Sequence, residues 1–275
     1  MVVSAKKYWD QRFLEWNKWI KKGGQRSEFP LKNWKYPTDR LKDQKWKWGN
    51  HNHSVYLLPE PYWGNSVNPS VVFVNINPGA VKEKGSIHED YKTLKKYSYY
   101  KLASKNVLNN KHADDWHRKR FNWASKLDTS IDPLNGLSVE LIPWHSKGAR
   151  DVTSYILENG QAVIENLLRF VDILPTENIF RNTFIVRSAV FMDLLNRDFF
   201  IKYFNKSTVK NLTLARKGNI IKPISFLTQI RLLEEHGYSK FLVFHGGASN
   251  MMPLNEYLIL DEGVSLKDYL RAENG

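Results

Sequence analysis

The chain has 275 residues, of which 42% are hydrophobic and 25% charged, values that suit an ordinary globular protein with a substantial core and exclude an intrinsically disordered one. Its 41 Lys and Arg face 28 Asp and Glu, a net charge of +13 that favours a polyanionic partner, either nucleic acid or an anionic membrane surface. Cysteine is absent, which excludes disulfides, thiolate catalysis and cysteine-ligated zinc.

Residues 1–50 hold six of the ten Trp (Trp9, Trp16, Trp19, Trp34, Trp46, Trp48) and thirteen Lys or Arg against five acids. Trp9, Phe13, Trp16 and Ile20 recur at helical spacing and predict an amphipathic helix ended by Gly23-Gly24. Gln25 to Asn50 has no clean period and reads as an extended, wrapping segment. Its aromatics either pack residues 1–68, a basic N-terminal extension, onto a main domain of residues 69–275, or they stack bases between phosphate-holding lysines. No secretory h-region is present, so a cytoplasmic location is expected. No apolar run approaches the ~20 residues of a membrane span, so no membrane partner is expected either.

Four short runs read as buried strands: Val71–Asn75, Leu137–Ile142, Thr183–Val186 and Phe241–Phe244. Between the first two lie 57 residues, Ala80 to Gly136, in which basic residues alternate with aromatics, as in His117-Arg118-Lys119-Arg120-Phe121-Asn122-Trp123. This stretch is either a solvated helical face or a DNA-facing cover. Helical patterns follow over Val152–Val171, Ala189–Tyr203 and Ser225–His236. Alternating strands and helices predict an α/β fold, a three-layer α/β/α sandwich around a central four-stranded parallel sheet. Ligands of such sheets bind at the carboxyl ends of the strands, so the residues just after each strand carry the most information.

The first strand ends in Asn75-Ile76-Asn77-Pro78-Gly79, where Pro and Gly force a sharp turn. The last strand, Lys240-Phe241-Leu242-Val243-Phe244, runs into His245-Gly246-Gly247-Ala248-Ser249-Asn250. This pair of motifs on an α/β pattern resembles the uracil-DNA glycosylase superfamily over roughly residues 69–255. The mismatch-specific branch of that superfamily carries Gly-Ile-Asn-Pro-Gly, and the single-strand-selective monofunctional branch carries Gly-Met-Asn-Pro-Gly and later His-Pro-Ser-Pro-Arg-Asn.

The resemblance implies a DNA glycosylase without metal or other cofactor, acting on DNA with no obligatory protein partner. Asn77 would position the water that attacks the sugar C1′. His245 would donate a hydrogen bond to the base oxygen as negative charge grows there. Pro78 and Gly79 would close against the flipped nucleotide. The loop with Gly246, Gly247, Ser249 and Asn250 would enter the minor groove, with Met251 and Met252 either as an apolar wedge or as core. Asn75 stands where the family has its leading Gly, and Gly246-Gly247 where it has Pro-Ser.

In the second strand Glu140 stands where the single-strand-selective branch has the Asn that reads the pyrimidine edge. A carboxylate accepts from cytosine N4–H₂, and a protonated carboxyl also donates to N3, so Glu140 either selects a cytosine-type base or is a structural carboxylate. Excision of ordinary cytosine would destroy the host genome, so a 5-modified cytosine, as in antiviral defence, stands beside uracil in repair as the expected substrate. His145 follows the second strand and either lines the site or packs locally. Arg187 follows the third and either contacts phosphate or pairs with an acid. Tyr97, Tyr99, Tyr100 and Trp123 are candidate base-stacking partners. His51-Asn52-His53 is half a metal site that nothing completes. The competing classes are an inactive nucleic-acid-binding module of the same fold and an unrelated hydrolase or transferase acting on nucleotides.

Overall fold

The computed structural model describes residues 4–36, 59–76, 111–144, 149–188, 197–205, 211–216, 226–232, 239–245, 258–260 and 263–274, with Phe191, Leu194 and Met252. Asn77, Pro78, Gly79, His145, Gly246, Gly247, Ser249, Asn250, Met251, Tyr97, Tyr99, Tyr100 and the His51–His53 pair lie outside them, as do Trp46 and Trp48. The chain divides into two compact units. One comprises Met1–Val67, Ile76–Asp114 and Val139–Phe170, the other Asn68–Asn75, Asp115–Ser138 and Val171–Gly275.

In the first unit, the predicted N-terminal helix is α1, Ala5–Lys21. Its buried stripe is Ala5, Trp9, Phe13, Trp16, Trp19 and Ile20, close to the expected spacing. Each indole in that stripe buries some 150–250 Å², worth on the order of 4 kcal/mol apiece before the cost of ordering. The helix ends where Gly23 and Gly24 take φ of +96° and +63°, and the Gly24 amide donates to the Trp19 carbonyl at 3.1 Å. The chain then folds back. The Trp19 indole donates to the Gln25 carbonyl, and Trp34 stacks on Tyr155 at an interplanar angle of 10°.

Val152–Val171, expected as one helix, is two: α3, Ala149–Glu158, and α4, Gly160–Leu168. Asn159 causes the break. Its backbone leaves helical geometry (φ −115°, ψ 21°), its side chain donates to the Tyr155 carbonyl, and its Oδ1 accepts the Lys35 amide at 2.7 Å. The interruption is therefore where the N-terminal segment docks. Strand β1, Tyr62–Gly64, lies beside β3, Gly136–Glu140, whose last two residues belong to this unit.

The second unit is built on a sheet ordered β3, β2 (Val71–Asn75), β4 (Thr183–Arg187), β8 (Lys240–His245), β7 (Phe226–Leu232), β6 (Asn211–Arg216) and β9 (Leu258–Leu260). The four strands read from the sequence are thus consecutive neighbours, and β2, β4 and β8 are parallel. The fold is α/β as expected, but the sheet continues past β8 through antiparallel pairings.

Ser225–His236 is the reason. Phe226–Leu232, expected as helix, is strand β7 pairing antiparallel with β8, and the short β5, Phe204–Asn205, pairs with β7 in turn. The sequence Phe-Leu-Thr-Gln-Ile-Arg-Leu fits a strand as well as a helix, and the open edge of β8 decides between them. Ala189–Tyr203 is likewise not one helix. Phe191 and Leu194 are helical, but Arg197 is extended (φ −88°, ψ 139°) ahead of a separate short helix, α5, Asp198–Ile201.

Helix α2, Lys111–Leu127, covers one face of this sheet: Phe121 and Trp123 pack on Phe73, and Trp123 also meets Phe180 and Phe244. The opposite face carries Phe184 and Phe241, against Phe191 and Phe204. The unit closes with α6, Leu266–Ala272, N-capped by Ser265, whose hydroxyl accepts the Asp268 amide. Beyond α6, the Lys240 ammonium donates to the Glu273 carbonyl and Asn274 Oδ1.

Candidate active site at the carboxyl ends of the parallel strands

The parallel register pairs Val74 with Val186 and Arg187 with Phe244, so one residue further on Asn75, Arg187 and Phe244 stand in a row across β2, β4 and β8. All three are at the carboxyl edge of the sheet. Strand order matters here. The second strand in the chain, β3, lies on one side of β2 and the third, β4, on the other. The chain leaves β2 in one direction and returns across it in the other. Such a reversal at the carboxyl ends of β2 and β4 is where open α/β sheets bind ligands.

Asn75 is 5% exposed. Strand alternation puts it on the same face as Phe73, toward α2. There the buried Arg120 donates from Nη1 to Asn75 Oδ1, and the Arg120 guanidinium lies 3.6 Å from the centre of the Trp116 ring. One turn earlier, His117 Nδ1 is 2.8 Å from Ser138 Oγ, both groups being buried. Arg187, next to Asn75 in the row, is half-buried, and burial lowers its pKa below the usual arginine value while leaving the guanidinium charged at neutral pH. Beyond it, the Ser188 amide donates to the Phe244 carbonyl at 3.1 Å, so β4 and β8 stay paired past the end of β4. The backbone of His245 closes β8 opposite Phe226 of β7. Its side chain is outside the described set.

In the first unit, Glu140 ends β3 with 3% exposure. Its backbone is held from both sides: its amide donates to the Pro61 carbonyl at 2.9 Å, and its carbonyl accepts from Asn166 Nδ2 at 3.0 Å. The Asn166 Oδ1 accepts in turn from the Trp9 indole at 2.8 Å. A two-bond relay thus joins the N-terminal helix to the backbone of Glu140. Ile142 donates to the Ile76 carbonyl at 3.2 Å, holding the last described residue before Asn77.

Several residues here carry no signal in the sequence. Arg120 sits in a run of basic residues that reads as a solvated face or a DNA cover, yet it points inward. Its helical partners Trp116, Phe121 and Trp123 are the trace that would have placed it. Trp123 is buried among Phe73, Phe180 and Phe244, and Trp9, Trp16, Trp19 and Trp34 are each at most 3% exposed. For these Trp residues packing, rather than base stacking, is the observed role. Among the described residues no three His, Asp or Glu side chains gather as a metal would need, and no helix is long and apolar enough to cross a membrane. No protein-family model, curated protein or solved structure matches the chain.

Proposed function

We propose that the protein is a monofunctional DNA glycosylase that hydrolyses the N-glycosidic bond of a flipped pyrimidine and leaves an abasic site. The observation that carries this reading is the strand order at the switch point: β2, which leads to Asn77, and β4, which ends in Arg187, are adjacent parallel strands, and β8, which ends in His245, is the next. The two motifs that resemble the uracil-DNA glycosylase superfamily follow strands ending on one edge of one sheet, where ligands of such sheets bind.

The chemistry asks little of a nucleophile. As the C1′–N1 bond breaks, its electron pair moves onto the base, and an oxocarbenium-like sugar is left for water to attack. Asn77 would hold that water, which forms the new C1′–O bond and gives up a proton. A hydrogen bond from His245 to the base oxygen would stabilise the departing anion. The half-buried Arg187 suits a phosphate beside the flipped nucleotide. Glu140, buried at the end of β3, would read the base edge. Accepting from N4–H₂ favours a cytosine-type base, with a 5-substituent marking foreign DNA, over uracil.

The test is direct. Single- and double-stranded DNA carrying uracil or a range of 5-modified cytosines is incubated with the protein and then treated with alkali. Strand breaks should appear with one base and fall by about 10²-fold or more in Asn77→Ala, the scale of a lost transition-state contact. Glu140→Gln should shift preference from cytosine-type bases toward uracil, and an unchanged preference removes Glu140 from base reading. Tight, salt-sensitive DNA binding without abasic sites would identify a binding module instead.

A further inference from the structure

We propose that the outward face of α1 is a docking surface for the phosphate backbone of nucleic acid, holding the strand without reading its bases. This goes beyond the glycosylase reading and is decided by binding, whether or not a base is excised.

The turn of the helix sorts α1 into two opposed stripes. Trp9, Phe13, Trp16 and Ile20 form the inward one, each at most 6% exposed. Lys7, Gln11, Leu14, Lys18 and Lys21 form the outward one, and all five are exposed. Three lysines therefore stand on the outward stripe, and no acid does. Asp10 and Glu15 lie at its margins, partly buried, and Glu15 is engaged by Arg12 at 2.7 Å. From Lys7 to Lys21 the stripe runs about 21 Å along the helix axis, long enough to face several phosphates of one strand. The Trp9 indole donates to Asn166 and the Trp19 indole to the Gln25 carbonyl, so the rod that carries the lysines is fixed within its own unit.

Stability alone does not account for where these charges sit. The N-terminus of a helix is its positive end, where acids stabilise and cations oppose the macrodipole. The first turn of α1 holds Lys6 and Lys7 and no acid, and Ser4 provides no side-chain cap. Lys18 and Lys21, in the last turn, suit the dipole and need no further reason. Lys7 shares their stripe at the end that disfavours it, and a polyanion lying along the stripe supplies the reason. Of the two polyanions that a net charge of +13 favours, the structure points to nucleic acid. A helix that lies on a membrane buries its apolar face among the lipids. In α1 that face is occupied by the protein core, and Leu14, 56% exposed, is the one large apolar side chain on the outward stripe. A charged rod without an apolar face matches a row of phosphates.

The experiment measures Kd for an unmodified DNA duplex over a range of salt concentrations. It compares wild type, Lys7→Gln/Lys18→Gln/Lys21→Gln, and a control that removes as many charges from the other unit, Lys126→Gln/Lys202→Gln/Lys267→Gln. Glutamine keeps helix propensity, so the α1 variant should still fold. The slope of log K against log salt should shrink by about 2–3 in the α1 variant, close to 0.9 per lost phosphate contact, and by under about 1 in the control. Equal losses in the two overturn the proposal, because net charge alone would then explain binding. An unchanged slope, or a wild type that does not bind the duplex, overturns it too. Lys7→Glu separates binding from stability. It places an acid in the first turn, so the melting temperature should hold or rise, while affinity should fall about tenfold. A lower melting temperature would make Lys7 a structural residue and overturn its assignment. Vesicles containing phosphatidylserine form a second arm: binding as tight as to the duplex, lost in the α1 variant, would make the surface a membrane contact instead. If the duplex results hold and no base is released from any DNA, the glycosylase reading has failed and this one stands. Where excision occurs, the α1 variant should raise KM and keep the rate at saturation, the mark of uniform binding; a lower rate at saturation would overturn the separation from base reading.

Discussion

Asn166 shows how much one polar side chain can organise. Its oxygen takes the Trp9 indole and its nitrogen serves the Glu140 carbonyl, at 2% exposure and with both bonds long-range. Asn166→Leu keeps the volume but leaves a buried donor and a buried acceptor without partners, at roughly 1–3 kcal/mol each. A loss of about 2–4 kcal/mol in urea unfolding is expected, and a loss under about 0.5 kcal/mol, typical of neutral surface changes, would contradict it. Trp9→Phe should cost less than Asn166→Leu, because Asn166 keeps one of its two partners. Legibility at this scale was uneven. Glu140 is singled out by the resemblance, at the position of the family's base-reading Asn, and Arg187 by the rule that residues just after a strand matter, whereas neither route leads to Asn166 or Arg120. A lone Asn in a helix carries no periodic signal, and an inward-pointing Arg inside a basic run is marked only by the aromatic residues around it on the helix.

Elements are legible when one period dominates. In α1 the aromatics are bulky, the spacing is helical, and Gly23-Gly24 stops the pattern. Gly23 adopts φ +96° with nothing within 4 Å of an added Cβ, so Gly23→Ala meets a purely conformational penalty of about 1–2 kcal/mol. That loss should appear as a lower melting temperature with packing unchanged, and a more stable variant would show that the helix ends elsewhere. Helix α2 shows the limits of the same reasoning, because its inward face mixes Phe121 and Trp123 with Arg120 and His117. The segment Phe226–Leu232 escaped for a different cause. Its apolar residues satisfy both periods, and only a neighbour far away in sequence, β8, supplies the edge that makes it a strand. The break at Asn159 was invisible for the same reason, since the Lys35 amide that it accepts lies 124 residues away.

At the scale of the whole molecule, the four strands and the α/β class could be read from short apolar runs, because burial on both faces leaves a composition that few other structures share. The antiparallel continuation could not, since it depends on which edges remain open. Acid stability is a property of this scale with a local handle. Partial burial pushes the Asp128 carboxyl up, but the Ser130 amide and hydroxyl and the Ile179 amide donate to it and hold it below the usual aspartate value. A carboxyl lowered in the folded state contributes stability above its unfolded pKa, near 3.8, and that contribution is lost as pH falls through the folded value. Asp128→Asn should therefore lower the melting temperature at pH 7 and have little effect near pH 2. Equal loss at both would mean that packing, not ionisation, is at stake.

The relay from Trp9 through Asn166 to the Glu140 carbonyl also governs how a deletion series would have to be interpreted. Trimming the first 36 residues looks like removal of a basic appendage, and a loss of excision would invite the conclusion that a DNA-binding arm had gone. It would equally strip the indole that seats Asn166 and loosen the carbonyl that seats Glu140. A trimmed protein that still binds DNA but no longer discriminates between bases would point to the lost seat, and a point variant such as Trp9→Phe would separate the two effects where truncation cannot.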